Sequence, residues 1–164
     1  MNKAVFLDRD GVINKEIGDY IYKIEDFNFN TGLFTALRLL QEYDYKLIVV
    51  TNQGGIAKGI YTIDEVNEIH NFMLEKLLEE GIKINDVYLC PHHHTIAPCL
   101  CRKPNSLMIE KAIAKYHIDT SKSYFIGDNE RDVLAGEKAM VKGILIEANE
   151  NIIPRVKMDI LNVV

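Results

Sequence analysis

The sequence has no tryptophan, only 4 prolines and 3 cysteines in 164 residues, and no long apolar run. A helix that spans a membrane needs about 20 consecutive apolar residues. The N-terminal segment MNKAVFLDRDGVIN has only four consecutive apolar residues before an aspartate, so it reads as neither a signal peptide nor an anchor. We therefore expect a cytoplasmic protein with no membrane partner.

Further absences narrow the class of protein. With 19 basic and 24 acidic residues the net charge is −5, and no basic block attracts nucleic acid. Neither G-x-x-x-x-G-K-[ST] nor G-x-G-x-x-G occurs, which excludes a P-loop and a dinucleotide fingerprint. The length predicts a single domain over 1–164. Hydrophobic residues make up 48% of the chain, which suffices for the core of such a domain. No long exposed apolar pattern demands a protein partner. We expect a monomer.

Short apolar runs alternate with helical patterns along the chain. The runs are Ala4–Leu7, Lys46–Val50, Val87–Leu89, Tyr124–Ile126 and Ile144–Ile146. The helical patterns are Leu33–Tyr43, Thr62–Glu80, Ser106–Tyr116 and Glu130–Met140. This alternation predicts an α/β fold, with a doubly wound, Rossmann-like parallel sheet and helices on both faces. Thr62 and Glu65 form a predicted capping box. The tail after Glu147 has only a weak pattern, and an edge strand at DILNVV (159–164) is one interpretation of it.

Polar residues follow three of the predicted strands. Asp8, Thr51 and Asp128 each come at a strand end, the edge where open α/β sheets bind ligands. Asp10 adds a second carboxylate to the first strand end, and Asp132 lies one helical turn beyond Asp128. A solvated turn for the Asp8–Asp10 pair and a helix cap for Asp128 are the alternatives. Clustered carboxylates repel, and a bound Mg²⁺ would relieve that repulsion.

The second strand ends in Thr51, Asn52 and Gln53, followed by two glycines. A polar turn would account for these residues. The functional interpretation is a hydroxyl and backbone N–H groups that hold phosphate oxygens, with Gly54 letting the backbone approach closely.

All three cysteines fall in CPHHHTIAPCLCRKP, at positions 90–104, and an odd number cannot pair fully as disulfides. Cys90, His92, Cys99 and Cys101 give the pattern C-x-H-x6-C-x-C. Three thiolates and an imidazole select Zn²⁺ and fill its four positions, so we predict a closed, structural ion in a zinc-binding loop. Free thiols with surface histidines are the alternative. His93 and His94 compete with His92 as the ligand.

Together these residues resemble the four motifs of the haloacid dehalogenase (HAD) phosphohydrolases: D-x-D-G at 8–11, T-N-Q at 51–53, C-R-K-P at 101–104, and G-D-x-x-x-D at 127–132. The segments D-R-D-G-V-I-N, N-Q-G-G-I-A-K-G, C-P-H-H and C-x-C-R-K-P further resemble the D-glycero-D-manno-heptose 1,7-bisphosphate phosphatases and the related histidinol-phosphate phosphatases. The resemblance covers about residues 4–147 and implies a single HAD-like phosphatase domain.

The resemblance implies a mechanism and a set of roles. Asp8 would attack phosphorus to form an aspartyl-phosphate, and Asp10 would protonate the leaving alkoxide and then activate water. Thr51 and Lys103 would hold the transferring phosphoryl group, and Arg102 would contact the rest of the substrate. Catalytic Mg²⁺ would be held by the side chains of Asp8 and Asp128 and the backbone carbonyl of Asp10.

Two features concern the substrate, which we expect to be a small phosphate ester. Asn129 stands where the resembled family usually has Lys, which removes a positive charge beside the metal. No insertion is long enough for a large cap domain, so loops near 16–20 and 54–61 would only partly cover the site. The N-Q-G-G-I-A-K-G loop favours a sugar bisphosphate, with histidinol phosphate as the alternative.

A competing hypothesis from outside the enzymes is a binding module that zinc holds together and that has no catalytic activity.

Overall fold

A computed structural model describes residues 1–163 and contains a five-stranded parallel sheet in the order β3-β2-β1-β4-β5. The strands are β1 (Lys3–Leu7), β2 (Tyr45–Asn52), β3 (Ile84–Cys90), β4 (Tyr124–Gly127) and β5 (Lys142–Leu145). The first strand is central and pairs with β2 on one side and β4 on the other. The strand order reverses at β1, which is the point where ligands bind in doubly wound sheets.

Helices fill the connections between the strands. They are α1 (Leu33–Glu42), α2 (Ile63–Glu79), α3 (Leu107–Tyr116) and α4 (Glu130–Lys138), with a short α5 (Ile153–Arg155) that continues into a π-helical segment (Val156–Leu161). Short 3₁₀ turns lie at Ile24–Asp26 and Thr120–Lys122. The predicted capping box is confirmed: Thr62 Oγ1 accepts from Glu65 N–H (3.2 Å), and Glu65 Oε2 accepts from Thr62 N–H (2.7 Å).

The two faces of the sheet carry separate apolar cores, because successive side chains of a strand point to opposite faces. Val5 and Leu7 of β1 pack in the core that contains the buried side of α1, α2 and the C-terminal helix. Ala4 and Phe6 pack in the core formed with α3 and α4. This arrangement confirms the predicted α/β class with helices on both faces.

The edge strand considered at DILNVV (159–164) is not formed in its described part, residues 159–163, so this prediction is wrong. Residues through Leu161 are helical, and Val164 lies outside the described residues. Val156 and Ile160 are buried while Asp159 between them is not, so the apolar residues recur at helical rather than alternating spacing.

The C-terminal edge of the sheet is covered by loops. Residues 8–32 follow β1, residues 53–62 follow β2, and residues 91–106 follow β3. Throughout residues 1–163 these loops build no separate cap domain, as the sequence predicts. No helix in this range is long and apolar enough to cross a membrane.

Candidate active site and cysteine cluster

A cavity of about 370 Å³, here called the strand-end pocket, opens at the C-terminal ends of β1, β2 and β4. Eight of the residues predicted from the sequence line it: Asp8, Asp10, Asn52, Gln53, Gly54, Arg102, Asp128 and Asn129. Thr51 and Lys103 are buried and contact residues that line the pocket. The fold therefore brings all the predicted pocket residues to one place.

Lys103 is the cation of the pocket's floor. Its Nζ lies 2.9 Å from Asp8 Oδ1 and 2.7 Å from Asp132 Oδ1, and it donates to the backbone oxygen of Val50 at 2.8 Å. Burial alone would lower the pKa of Lys103, but the charges of Asp8 and Asp132 outweigh burial and raise it. The amine therefore stays protonated beside the carboxylates.

Asp8 follows β1 directly and is 5% exposed. Burial raises the pKa of Asp8 to about 7, which Lys103 opposes and Asp132 reinforces. Carboxylate oxygens of Asp8, Asp128 and Asp132 lie within 4.8 Å of one another. Burial, followed by the charge of Asp132, raises the pKa of Asp128 to about 6. Such a group of hard oxygen ligands fits Mg²⁺, whose charge would stabilise the ionised forms.

This group contains the two side chains predicted to hold Mg²⁺, Asp8 and Asp128, and adds Asp132, which was not among the predicted ligands; Asp10 was predicted to contribute only its backbone carbonyl. Both oxygens of Asp132 are engaged, since Oδ1 pairs with Lys103 and Oδ2 accepts from the Asn129 backbone N–H at 3.2 Å. Asp132 therefore supports the group while Asp8 and Asp128 remain the side chains suited to a metal. Gly11 permits the approach, because it has φ +86° and a Cβ there would collide with the Asp128 carboxylate.

Asp10 is held by groups that the sequence did not reveal. The guanidinium of Arg9, which is fully buried, donates to Asp10 Oδ1 (2.9 Å) and Oδ2 (3.0 Å). Asn14 Nδ2 donates to Oδ1 at 2.9 Å and Gln53 Nε2 to Oδ2 at 3.1 Å. These bonds fix the orientation of the Asp10 carboxylate at the pocket wall.

A second layer of contacts supports this arrangement. Gln53 also donates to Thr51 Oγ1 (2.9 Å), and its own oxygen accepts from the hydroxyl of Tyr61 (2.7 Å). Arg9 Nη1 lies 3.4 Å from Nε2 of buried His70. Burial, followed by the charge of Arg9, lowers the pKa of His70 to about 4. His70 is therefore neutral at physiological pH.

Asn52 and Asn129, both predicted to contact substrate, also carry structural bonds. Asn52 Oδ1 accepts from Lys103 N–H (3.0 Å) and its Nδ2 donates to Lys103 O (3.1 Å), a reciprocal pair that fixes the lysine backbone. Asn129 is the N-cap of α4, and its Oδ1 accepts from Arg131 N–H (3.2 Å). The alternative that placed the cap at Asp128 is therefore off by one residue, which leaves the Asp128 carboxylate free for the pocket.

Beside the pocket lies the cysteine cluster, which consists of Cys90, His92, Cys99 and Cys101. Cys99 Sγ stands 3.7 Å from Cys90 Sγ and 3.8 Å from Cys101 Sγ, and His92 Nδ1 stands 3.6 Å from Cys90 Sγ. Ligand atoms around a tetrahedral Zn²⁺ are about 3.5 to 3.8 Å apart. The Cys101–Cys90 (2.9 Å) and Cys101–His92 (3.2 Å) separations are shorter. The donor set fits Zn²⁺ and is formed by the four predicted residues.

The two competing histidines lie outside the cluster. His93 lines the strand-end pocket next to Gly54, where an added Cβ would stand 2.7 Å from His93 Cδ2 and 3.0 Å from Arg102 Nη1. His94 lines a neighbouring cavity. Arg102 Nη1 donates to the backbone oxygen of His92 at 2.9 Å, so the segment that carries the cluster ligand His92 also orients this arginine.

Known proteins resemble this chain in sequence and in fold. A family model described as HAD-hydrolase-like matches residues 100–151. A Campylobacter jejuni protein named D-glycero-alpha-D-manno-heptose-1,7-bisphosphate 7-phosphatase is 44% identical over 148 residues, with 90% of this chain and 83% of that protein covered. A Helicobacter pylori protein with the corresponding beta name is 42% identical, with 88% and 83% covered.

A solved structure agrees with these relatives. The D,D-heptose 1,7-bisphosphate phosphatase of B. bronchiseptica, complexed with magnesium and phosphate, superposes with a TM-score of 0.82 at 29% identity. The match covers 87% of this chain and 79% of that one. The chain belongs to the HAD-like hydrolases and, among them, to the family of the heptose-1,7-bisphosphate 7-phosphatases.

Proposed function

We propose that this chain is a Mg²⁺-dependent phosphatase that cleaves the 7-phosphate of a D-glycero-D-manno-heptose 1,7-bisphosphate through an aspartyl-phosphate. The observation that carries the proposal is the position of Asp8. Its carboxylate stands at the end of the central strand, 2.9 Å from a buried lysine, and lines an open pocket together with Asp10 and Asp128. The names of the relatives supply the substrate.

In the first step, an oxygen of Asp8 attacks phosphorus and the bond to the sugar oxygen breaks. Lys103 lies beside this carboxylate, and Thr51, whose hydroxyl accepts from Gln53, lies at the end of the neighbouring strand; both would hold the phosphoryl oxygens over which charge spreads. A fixed cation in a site shielded from water stabilises such charge more than it would in solvent. Asp8 and Lys103 therefore act as a pair.

Asp10 moves the proton in both steps. It gives a proton to the departing sugar oxygen, and it then takes one from the water that attacks phosphorus and releases Asp8. Arg9, Asn14 and Gln53 hold the Asp10 carboxylate in place. Proton transfer needs a donor within hydrogen-bond reach of the reacting oxygen, and an Asp10 carboxylate fixed at the pocket wall would meet this requirement.

The residues suited to hold Mg²⁺ are Asp8 and Asp128, with the backbone carbonyl of Asp10 expected from the family resemblance. When bound, Mg²⁺ offsets the repulsion of the carboxylates and neutralises charge on the phosphoryl oxygens. We further propose that Zn²⁺ in the cysteine cluster has a structural role. It would tie down the loop that carries Arg102 and Lys103.

The alternative substrate of the sequence analysis, histidinol phosphate, gains no support from the relatives described above. A binding module without catalysis conflicts with membership of a hydrolase family. A single domain, a monomeric state and a cytoplasmic location stay predictions from the sequence.

The test compares phosphate release from heptose 1,7-bisphosphate and from histidinol phosphate, with Mg²⁺ supplied. We expect faster turnover of the bisphosphate. We also expect Asp8→Asn to lower its turnover at least roughly 1,000-fold while the fold survives, since a nucleophile has no substitute. Faster turnover of histidinol phosphate would reverse the substrate assignment, and an active Asp8→Asn protein would refute the nucleophile.

A further inference from the structure

Two arginines stand at the border between the strand-end pocket and a neighbouring cavity of about 340 Å³. Arg102 and Arg131 line both cavities. Arg131 belongs to the first turn of α4, two residues beyond Asn129, and was not among the residues predicted from the sequence to bind substrate. It is close enough to Asp128 for its charge to lower that group's pKa against the effect of burial.

These arginines differ from the other three in the chain. Arg9, Arg38 and Arg155 each form an ion pair with a carboxylate. Within the described range 1–163, Arg102 and Arg131 have no carboxylate within ion-pair distance, and the buried Nε of Arg131 has no hydrogen-bond partner. Both arginines line the two cavities and neither charge is neutralised by a carboxylate, so together they are suited to bind an anionic ligand.

The charges around the pocket are unevenly distributed. Glu16 and Asp19 line the pocket together with a further cavity on the side of the loop after β1. The arginines instead border the cavity beside the loop that follows the cysteine cluster. An anion in the pocket is therefore attracted towards Arg102 and Arg131 and repelled from Glu16 and Asp19. The hydroxyl groups of a sugar can donate hydrogen bonds to the carboxylates of Glu16 and Asp19 on the acidic side of the pocket.

We propose that Arg131 is a specificity-determining residue that holds, with Arg102, the second phosphate of the substrate, the one that is not cleaved. Asn129 is neutral and is occupied as the cap of α4, so Arg131 supplies the positive charge of this segment. A guanidinium matches phosphate with two parallel hydrogen bonds. This inference rests on the proposed function, because it requires a bisphosphate whose first phosphate is at Asp8.

The test uses two substrates that share the cleavable phosphate, heptose 1,7-bisphosphate and heptose 7-phosphate. We expect Arg131→Gln to lower kcat/KM about 10- to 100-fold for the bisphosphate, mainly through KM, and to change the value for heptose 7-phosphate by less than about 3-fold. Arg131→Lys should recover part of the loss. Arg38→Gln, which removes the same charge from an arginine paired with Glu80, is the matched control and should match wild type on both substrates.

Product inhibition gives a second readout. Heptose 1-phosphate should inhibit Arg131→Gln about 10-fold more weakly than wild type, whereas inhibition by inorganic phosphate should be unchanged. Equal losses on both substrates, or unchanged inhibition by heptose 1-phosphate, would overturn the role of Arg131 and leave the phosphatase assignment standing. A wild-type protein that hydrolyses neither substrate would overturn both.

Discussion

The strand-end pocket and the cysteine cluster are neighbours, yet the chain builds them in different ways. All four residues of the cluster lie between positions 90 and 101, so their spacing in the sequence already limits their geometry. The pocket instead joins the ends of β1, β2 and β4 with the loop after β3. A local site can be read from a short motif, whereas a site assembled by a sheet depends on the whole fold.

The two regions also differ in chemistry. Thiolates and an imidazole fill four positions and suit a closed zinc site, while carboxylate oxygens at an open cavity suit Mg²⁺ and phosphate. Only Arg102 separates the cluster ligand Cys101 from Lys103 of the pocket, and Asn52 fixes the Lys103 backbone from the other side. We infer that the cluster supports the pocket and takes no part in the reaction.

The largest expected effect comes from removing the charge that the pocket depends on. Lys103→Met leaves Asp8 and Asp132 buried without their cation, which should reduce the free energy of unfolding by about 3 kcal/mol. Phosphate release should fall at least roughly 1,000-fold because the phosphoryl group loses a fixed cation. Chemical denaturation and a phosphate assay measure the two effects.

Lys115→Met is the matched control for this change. Lys115 forms an exposed ion pair with Asp86, so its removal should alter stability and activity little. If Lys103→Met were as stable and active as Lys115→Met, the buried ion-pair network would not hold the pocket together.

The next effect tests whether the cluster is structural. His92→Asn removes a proposed ligand, and we expect loss of the zinc and a decrease of about 3 kcal/mol in the free energy of unfolding. The adjacent His94→Asn should retain about one zinc per chain and wild-type stability, since His94 lies outside the cluster. Metal analysis and thermal unfolding of both proteins decide the matter. If His92→Asn retained zinc and His94→Asn lost it, the histidine ligand would be His94 and not His92.

The smallest effect concerns the support beneath Asp10. The pKa of His70 is lowered to about 4 in the folded protein, below its usual 6.5, so the unfolded chain binds more protons between these values. Stability from this group is present above pH 6.5 and is lost as the pH falls towards 4. His70→Gln should remove this contribution, about 2 kcal/mol of the wild-type loss between pH 7 and pH 5. The free energy of unfolding of wild type and of His70→Gln is measured in parallel between pH 7 and pH 5. An equal loss of stability in the two proteins would contradict the lowered pKa of His70.

Much of the fold could be predicted because its signals are local. Buried strands appear as short apolar runs, and Thr62 with Glu65 marks the start of α2. The C-terminal helical segment was harder to predict, because its helical pattern rests on only two buried apolar residues, Val156 and Ile160. The cluster followed from the spacing of its ligands.

The supporting residues of the pocket could not be predicted in the same way. Arg9 was visible within D-R-D, but nothing in the sequence indicates that its side chain turns inward towards Asp10 and His70. Tyr61 reaches Gln53 across a loop. The polar side chains at strand ends identify where ligands bind, while their partners depend on how separate loops close over that edge.

The proposed mechanism requires that Asp8, and not the neighbouring Asp10, becomes phosphorylated. Borohydride reduces an acyl phosphate to the alcohol, which converts the modified aspartate to homoserine. Protein quenched during turnover of heptose 1,7-bisphosphate, reduced in this way and digested, should carry the mass change at Asp8. A change at Asp10, or an unmodified peptide under conditions where phosphate is released, would contradict the mechanism.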